Sequence, residues 1–148
     1  MRWTLRIVQA ALCITLAAAF PGAAAMQQAR TVADGVYEKK QADRGKKGYA
    51  VFCESCHADD LSGTNSGDSG APPLRRDGFM EGSDAFALFT KMRQAMPLDA
   101  PGSLTPEEYL EILAYIFQEN GFPAGPDELT LNADQLRNIR IVRVSSRP

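Results

Sequence analysis

The stretch Cys53-Glu54-Ser55-Cys56-His57 is the most informative part of this 148-residue sequence. Its pattern, C-x-x-C-H, is typical of covalent haem attachment. Two thiols three positions apart at the end of a helix lie on the same side and can add to the two vinyl groups of one porphyrin. The histidine that follows can then bind the iron as its proximal ligand. The motif predicts one haem c per chain, with thioethers at Cys53 and Cys56 and His57 on the iron.

Two other kinds of site use a C-x-x-C pair, a redox dithiol and a structural zinc site. A thioredoxin-type dithiol needs a βαβ context, and no strand-rich pattern precedes Cys53. A structural zinc needs four ligands, whereas the chain after residue 25 holds two cysteines and one histidine. Haem attachment is therefore the favoured interpretation.

Residues 1–25 have the pattern of a secretory signal peptide. Arg2 and Arg6 precede an apolar run over residues 7–20, and three alanines at 23–25 supply a cleavage site. The run is short for a membrane span. We expect cleavage and a periplasmic protein, with membrane association only if the signal is retained as an anchor.

Removal of the signal leaves 123 residues, enough for one modest core. It takes away two arginines and no acidic residue, so that 14 basic residues remain against 18 acidic ones. Cys13 is expected to leave with the signal, and the two remaining cysteines would be used as thioethers. No basic stripe with interleaved aromatic residues is present, so we expect no nucleic-acid partner.

Apolar residues recur at helical spacing in three segments, which predicts an all-helical chain. The first helix is expected over residues 41–56, where Tyr49 and Phe52 share a face with the two cysteines. The second is expected over residues 84–95, and the third begins after Thr105 with a capping-box sequence and an N-terminal proline. The side chains predicted to be buried are Ala85, Leu88, Phe89 and Met92 on the second helix and Tyr109, Ile112, Leu113, Ile116 and Phe117 on the third.

Residues 58–71 are rich in Gly, Ser, Asn and Asp and are predicted to form a loop. Three acidic residues in this loop, Asp59, Asp60 and Asp68, suggest calcium binding at first sight. Their spacing does not match an EF-hand, so a solvated loop is favoured.

The sixth iron ligand cannot be a histidine, because the chain has only one. The candidates after the signal are Met26, Met80, Met92 and Met96, with a vacant or weakly filled position as the alternative. Met26 is terminal, Met80 follows a Gly-rich stretch and Met92 lies on a buried stripe. Met96 is favoured because Pro97 disfavours helical geometry at the residue before it and so places the thioether on a loop.

These residues together resemble a class I cytochrome c over residues 35–141. Gly45 and Tyr49, placed before Cys53, follow the family's first-helix pattern of a glycine and an aromatic residue. The resemblance implies an all-α fold in which three main helices and loops wrap around one covalently bound haem c. It also implies that Gly45 lies where the first and last helices cross.

The element Pro72-Pro73-Leu74 looks like the family's loop whose proline carbonyl accepts the N–H of the proximal imidazole. Such a bond fixes the tautomer of the histidine and strengthens it as a ligand. Pro72 is favoured over Pro73 by its spacing to Leu74.

Three further segments, residues 34–37, 96–105 and 120–125, look like bacterial mono-haem cytochromes that are often encoded beside periplasmic quinoprotein dehydrogenases. One departure concerns a tryptophan that this subgroup commonly has near Ser83. The only tryptophan of this chain is Trp3, inside the predicted signal.

The expected organisation is a signal peptide (1–25), a lead-in (26–40), a cytochrome c domain (41–125) and a C-terminal extension that packs on the domain (126–148). The extension includes a short helical turn, expected over residues 133–138. The resemblance implies a monomeric periplasmic electron carrier and not an enzyme. It would cycle between ferrous and ferric iron and shuttle electrons from a dehydrogenase to an oxidase or another cytochrome.

Two alternatives remain open at this point. The chain could be a haem relay subunit of a quinoprotein dehydrogenase complex, or a peroxidase or gas-binding haem protein with an open sixth position. Between residues 53 and 96 seven acidic residues stand against four basic ones. We therefore expect no strongly basic docking ring around the haem.

Overall fold

The computed structural model describes residues 29–64 and 70–143, and this part of the chain is mostly helical, as the apolar periodicity predicts. The predicted signal peptide, residues 1–25, and the candidate ligand Met26 lie outside the described residues. The helices are α1 (Lys39–Phe52), α2 (Glu54–His57), α3 (Ala85–Ala95), α4 (Pro106–Glu119) and α5 (Ala133–Arg137).

A 3₁₀ turn, Val32–Asp34, and two short strands also occur in the described ranges. Strands β1 (Arg30–Thr31) and β2 (Ile139–Arg140) pair in parallel and so join the two ends of the described chain. The apolar pattern did not predict these strands, because two residues are too few to show an alternating period. Within the same ranges, no helix is long and apolar enough to cross a membrane.

The first predicted helix, over residues 41–56, is divided in the structure. Its main part, α1, ends at Phe52, and the one-turn helix α2 begins two residues later. Cys53 separates them because its φ of −127° lies outside the helical region. Tyr49 and Phe52 were expected to share a buried face. Tyr49 is buried, whereas Phe52 is 40% exposed.

The starts of α3 and α4 follow from their capping residues. The side chain of Asp84 accepts a hydrogen bond from Ala87 N at 2.8 Å. Thr105 and Glu108 form a reciprocal capping box, in which Thr105 Oγ1 accepts from Glu108 N and Glu108 Oε2 accepts from Thr105 N. All the side chains predicted to be buried on these two helices are buried, which confirms both apolar stripes.

Helices α1 and α4 cross at Gly45, as the resemblance implies. A Cβ atom at Gly45 would overlap the backbone carbonyl of Glu111, so the two helix backbones touch at this point. One turn later, a Cβ at Gly48 would lie 3.2 Å from the Ile112 side chain. The Gly45 site therefore explains why a residue of poor helix propensity lies inside α1.

Residues 126–143 pack back onto α1 and α3. The amide of Gln41, which is 2% exposed, donates to Leu129 O at 2.9 Å and accepts from Leu129 N at 2.8 Å. From α5, the Arg137 guanidinium lies 4.1 Å from the centre of the Phe86 ring on α3. The segment is thus held by buried polar and cation–π contacts as well as by the β1–β2 pair.

The helix crossing predicts different outcomes for alanine at the two glycines of α1. Gly45→Ala should lower the free energy of unfolding by about 3 kcal/mol, because the new Cβ would push two backbones apart. Gly48→Ala meets only a side chain that can shift, and its gain of about 0.8 kcal/mol in helix propensity offsets the tight contact. Guanidinium chloride unfolding of the haem-loaded variants measures both, and equal losses would contradict the backbone contact.

Candidate haem-binding site

The C-x-x-C-H motif forms a single turn between α1 and the loop that follows. His57 N donates to Cys53 O at 2.9 Å, which closes the turn. His57 is 5% exposed, Cys53 is partly buried and Cys56 is exposed. Both cysteines are free thiols, so the turn brings together two unpaired sulfurs and one imidazole.

The His57 ring is oriented by a backbone carbonyl. Its Nδ1 lies 2.9 Å from Pro72 O. Because a carbonyl oxygen only accepts, Nδ1 donates the proton in this contact, and Nε2 is the ring nitrogen left for a metal. None of the hydrogen bonds among the described residues uses Nε2. This tautomer is the one that a metal-binding imidazole with a backbone partner adopts.

The loop that carries Pro72 is held by the segment after the motif. Leu61 O accepts hydrogen bonds from Leu74 N at 2.9 Å and Arg75 N at 3.1 Å. Gly63 has a φ of +76°, and a Cβ there would overlap the backbone near Pro72. Glycine is therefore required at this close approach of the two loop strands.

Asn120, at the C-terminal end of α4, attaches the same loop to the helix core. Its Nδ2 donates to Leu74 O and to Ile116 O, each at 2.8 Å. Its Oδ1 accepts from Arg76 N at 3.3 Å. One amide side chain thus spans α4 and the two residues that flank Arg75.

Burial changes the acid–base properties of two side chains beside the motif. It raises the pKa of the Cys53 thiol to about 11, and the neighbouring Cys56 adds to the shift. A redox dithiol of the thioredoxin type needs a lowered pKa, so this environment argues against that chemistry. Burial also raises the pKa of Tyr49, whose hydroxyl donates to Ala58 O at 2.6 Å.

The methionine candidates lie in different surroundings. Met92 is 9% exposed within the core, and Met80 is partly buried against the core. Met96 is partly buried at the end of α3, with an extended backbone (φ −131°, ψ 149°) before an exposed loop. Its carbonyl accepts a hydrogen bond from the Tyr109 hydroxyl at 2.6 Å. Of the three described methionines, Met96 alone lies at the junction of a helix and a loop.

Calcium binding in the loop after the motif has no support in the described residues. No group of three His, Cys, Asp or Glu side chains that could hold a metal ion occurs there. Asp60 Oδ1 instead accepts from Ser62 N at 2.9 Å, and Asp68 lies outside the described residues.

The donor set fits a c-type haem. It offers two free thiols for thioether bonds and one imidazole with its metal-binding nitrogen unused, all within one helical turn. A thioether is available from a separate segment, at the end of α3. Nitrogen and sulfur ligands of this kind are those of haem iron in electron-transfer proteins.

Comparison with known proteins agrees with this chemistry. A family described as "Cytochrome C oxidase, cbb3-type, subunit III" matches residues 40–116. The crystal structure of the sulfane dehydrogenase SoxCD from Paracoccus pantotrophus is similar, with a TM-score of 0.50 at 18% sequence identity. The match covers 78% of this chain and 61% of that chain. No curated protein matches.

Together with the helix arrangement, these matches confirm the all-α fold of a mono-haem class I cytochrome c.

Several polar anchors of the site were not anticipated from the sequence. The sequence pattern assigns no hydrogen bond to Asn120, Tyr49 or Tyr109. For the two tyrosines, the sequence does indicate that a hydrogen bond is needed, because a buried tyrosine O–H usually finds a partner. Which carbonyl it reaches depends on the tertiary structure.

The bonds of Asn120 predict that its replacement loosens the loop beside His57. Asn120→Ala should lower the free energy of unfolding by about 2 kcal/mol, because two carbonyls and one N–H lose a partner. Asn138→Ala is the matched control, since that side chain makes no hydrogen bond among the described residues, and it should cost less than about 0.5 kcal/mol. Denaturant unfolding of both haem-loaded variants gives the comparison, and equal values would refute the role of Asn120.

Proposed function

Because this chain belongs to the family described as cytochrome c oxidase, cbb3-type, subunit III, we propose that it is a periplasmic single-electron carrier with one covalently bound haem c. The observation that carries the proposal is the 2.9 Å contact between His57 Nδ1 and Pro72 O. It leaves Nε2 without a hydrogen bond among the described residues, in a motif that also carries two free thiols. Membership of this family supports a role in haem-based electron transfer.

Each residue of the proposed site has one task. Cys53 and Cys56 would form the thioether bonds, and His57 and Met96 would bind the iron. When bound, the haem supplies an iron that gains and loses one electron. Pro72 O holds the imidazole in the right tautomer and strengthens it as a donor. The Met96 thioether would favour the ferrous state and so raise the reduction potential.

The proposed partners follow from the two named relatives. The family description names an oxidase, and the SoxCD title names a dehydrogenase. We place this chain between such proteins, with a periplasmic dehydrogenase as donor and an oxidase or another cytochrome as acceptor. The second candidate, a haem relay subunit of a dehydrogenase complex, is favoured by the occurrence of the same fold in SoxCD.

Export and domain organisation belong to the same proposal. Cytochrome c domains of this family are usually extracytoplasmic, which fits cleavage of residues 1–25 as a signal peptide. Residues 41–125 would then form the cytochrome domain and residues 126–148 its C-terminal extension. Intact mass of the purified holoprotein tests this, since cleavage gives a chain that starts at Met26 with one haem attached.

The ligation by Met96 predicts a spectroscopic result. The ferric protein should show the weak far-red band of methionine sulfur on haem iron, and Met96→Ala should abolish it and allow carbon monoxide to bind the ferrous form. Met80→Leu and Met92→Leu are matched controls that keep the band, because a leucine fills similar space in the core. Loss of the band in a control variant but not in Met96→Ala would overturn the assignment of Met96.

Absence of the band from the native protein, together with high-spin features and carbon monoxide binding, would support a ligand-binding or catalytic haem instead.

The excess of acidic residues between positions 53 and 96 predicts a weak dependence of electron transfer on salt. Rates of reduction by the partner dehydrogenase should change by less than about threefold between about 20 and about 200 mM salt. A change this small is expected when no basic ring steers the partner toward the haem. Stopped-flow absorbance measures these rates. Steep inhibition by salt would contradict the expectation.

Gel filtration of periplasmic extract separates the two candidates. A free shuttle elutes as a monomer, whereas a relay subunit elutes with dehydrogenase activity.

A further inference from the structure

The loop that follows Met96 has little of its own to hold it in place. Residues 98–103 are all exposed, and Leu98 is 77% exposed. The loop closes through backbone bonds from Ala100 N to Pro97 O at 3.0 Å, from Ser103 N to Ala100 O at 3.2 Å and, at the long distance of 3.4 Å, from Gly102 N to Met96 O. A segment with exposed backbone bonds and no buried side chains has low local stability. The loop itself holds the Met96 carbonyl only through the 3.4 Å bond from Gly102 N, so a shorter contact from outside the loop would add to its hold.

One such contact comes from Tyr109 on α4. Its side chain is 2% exposed, and its ring packs edge-on against Phe89 of α3, with ring centres 6.4 Å apart. Its hydroxyl donates to Met96 O at 2.6 Å. Among the hydrogen bonds of the described residues, this is the only one in which a side chain reaches residues 96–103. Tyr109 thus attaches the start of the loop to the buried face of α4.

The two backbone polar groups of Met96 are both fixed as a result. Met96 N donates to Met92 O at 2.8 Å, and Met96 O accepts from the Tyr109 hydroxyl at 2.6 Å and from Gly102 N at the longer distance of 3.4 Å. With both groups bonded, the peptide units on either side of its Cα cannot turn freely, and the direction of the Cα–Cβ bond is set. A thioether is a weak iron ligand, so its retention depends on how closely the protein holds the residue that carries it.

We propose that Tyr109 is a positioning residue for the sixth iron ligand. Its hydroxyl holds the Met96 backbone so that the thioether stays on the iron and resists displacement by other ligands. This inference rests on the proposed function, in which Met96 is an axial ligand. Tyr109 acts through the Met96 backbone and is not itself assigned a contact with the haem.

The chain contains a matched control for this bond. Tyr37 is 1% exposed, and its hydroxyl donates to Phe122 O at 2.7 Å. Tyr37→Phe and Tyr109→Phe therefore remove the same kind of bond, from a buried hydroxyl to a backbone carbonyl, and both keep the ring. They differ in the segment that loses the bond. For Tyr37 it is the chain just after α4, and for Tyr109 it is the start of the loop that follows Met96.

The experiment is a titration of the ferric holoprotein with imidazole, which competes with methionine for the iron, followed through loss of the far-red band. Tyr109→Phe should lower the imidazole concentration at the midpoint by about fivefold to tenfold. This is the change expected when one hydrogen bond that favours the methionine-bound state is lost. Tyr37→Phe should leave the midpoint within about twofold of the native value, although both variants lose similar thermal stability. Equal shifts in the two variants would overturn the proposal.

A double-mutant cycle with Met96→Ala separates positioning from a general structural effect. Because Met96→Ala is expected to lack the far-red band, imidazole binding in this background is followed through the change in the main haem absorption band. Without the thioether, imidazole has nothing to displace, so adding Tyr109→Phe should leave its affinity unchanged. A shift that persists in the Met96→Ala background overturns the proposal. The spectrum of the native protein is recorded first, because it tests Met96 ligation by itself. If the native protein lacks the far-red band, it is the proposed ligation by Met96 that fails.

Discussion

The contact between α1 and α4 at Gly45 is the constraint on which the rest of this structure depends. A side chain there would meet the carbonyl of Glu111, so only glycine lets the two helices approach this closely. The approach is continued by the Tyr49 and Tyr115 rings, whose centres are 5.3 Å apart. Because α1 leads directly into the C-x-x-C-H motif, the packing of α1 against α4 determines where His57 lies. The position of the whole site therefore depends on this helix crossing.

Helix α4 connects to both segments that carry or orient the proposed iron ligands. Near its N-terminal end the Tyr109 hydroxyl bonds to Met96 O, and just after its C-terminal end Asn120 bonds to the loop that follows Pro72. The two proposed axial ligands lie on different segments, but each segment is attached to the same rigid element. Electron transfer benefits from such an arrangement, because ligands held on a preorganised scaffold move little when the charge on the iron changes. The anchors are polar bonds to backbone carbonyls, so they fix position without depending on side-chain identity in the loops.

Much of the fold was predictable because its signals are local. The capping box at Thr105 and both apolar stripes concern residues within a few positions of one another, and all agree with the structure. The division of the first helix at Cys53 was not predicted, since its apolar spacing continues through the break. The strands near Arg30 and Ile139 pair over more than one hundred positions and leave no periodic trace in so short a segment.

The sequence alone determined the class of protein and the chemistry of its motif, because two thiols and an imidazole within five residues depend on no distant part of the chain. It also singled out Met96 through Pro97, a restriction that acts between neighbouring residues. The resemblance also favoured Pro72 as the partner of His57, but only the tertiary structure decided that Tyr109 holds Met96. Pro72 O faces His57 across fifteen positions and the Tyr109 hydroxyl faces Met96 across thirteen. Hydrogen bonds require atoms within about 3 Å, and such proximity arises only after the helices have packed.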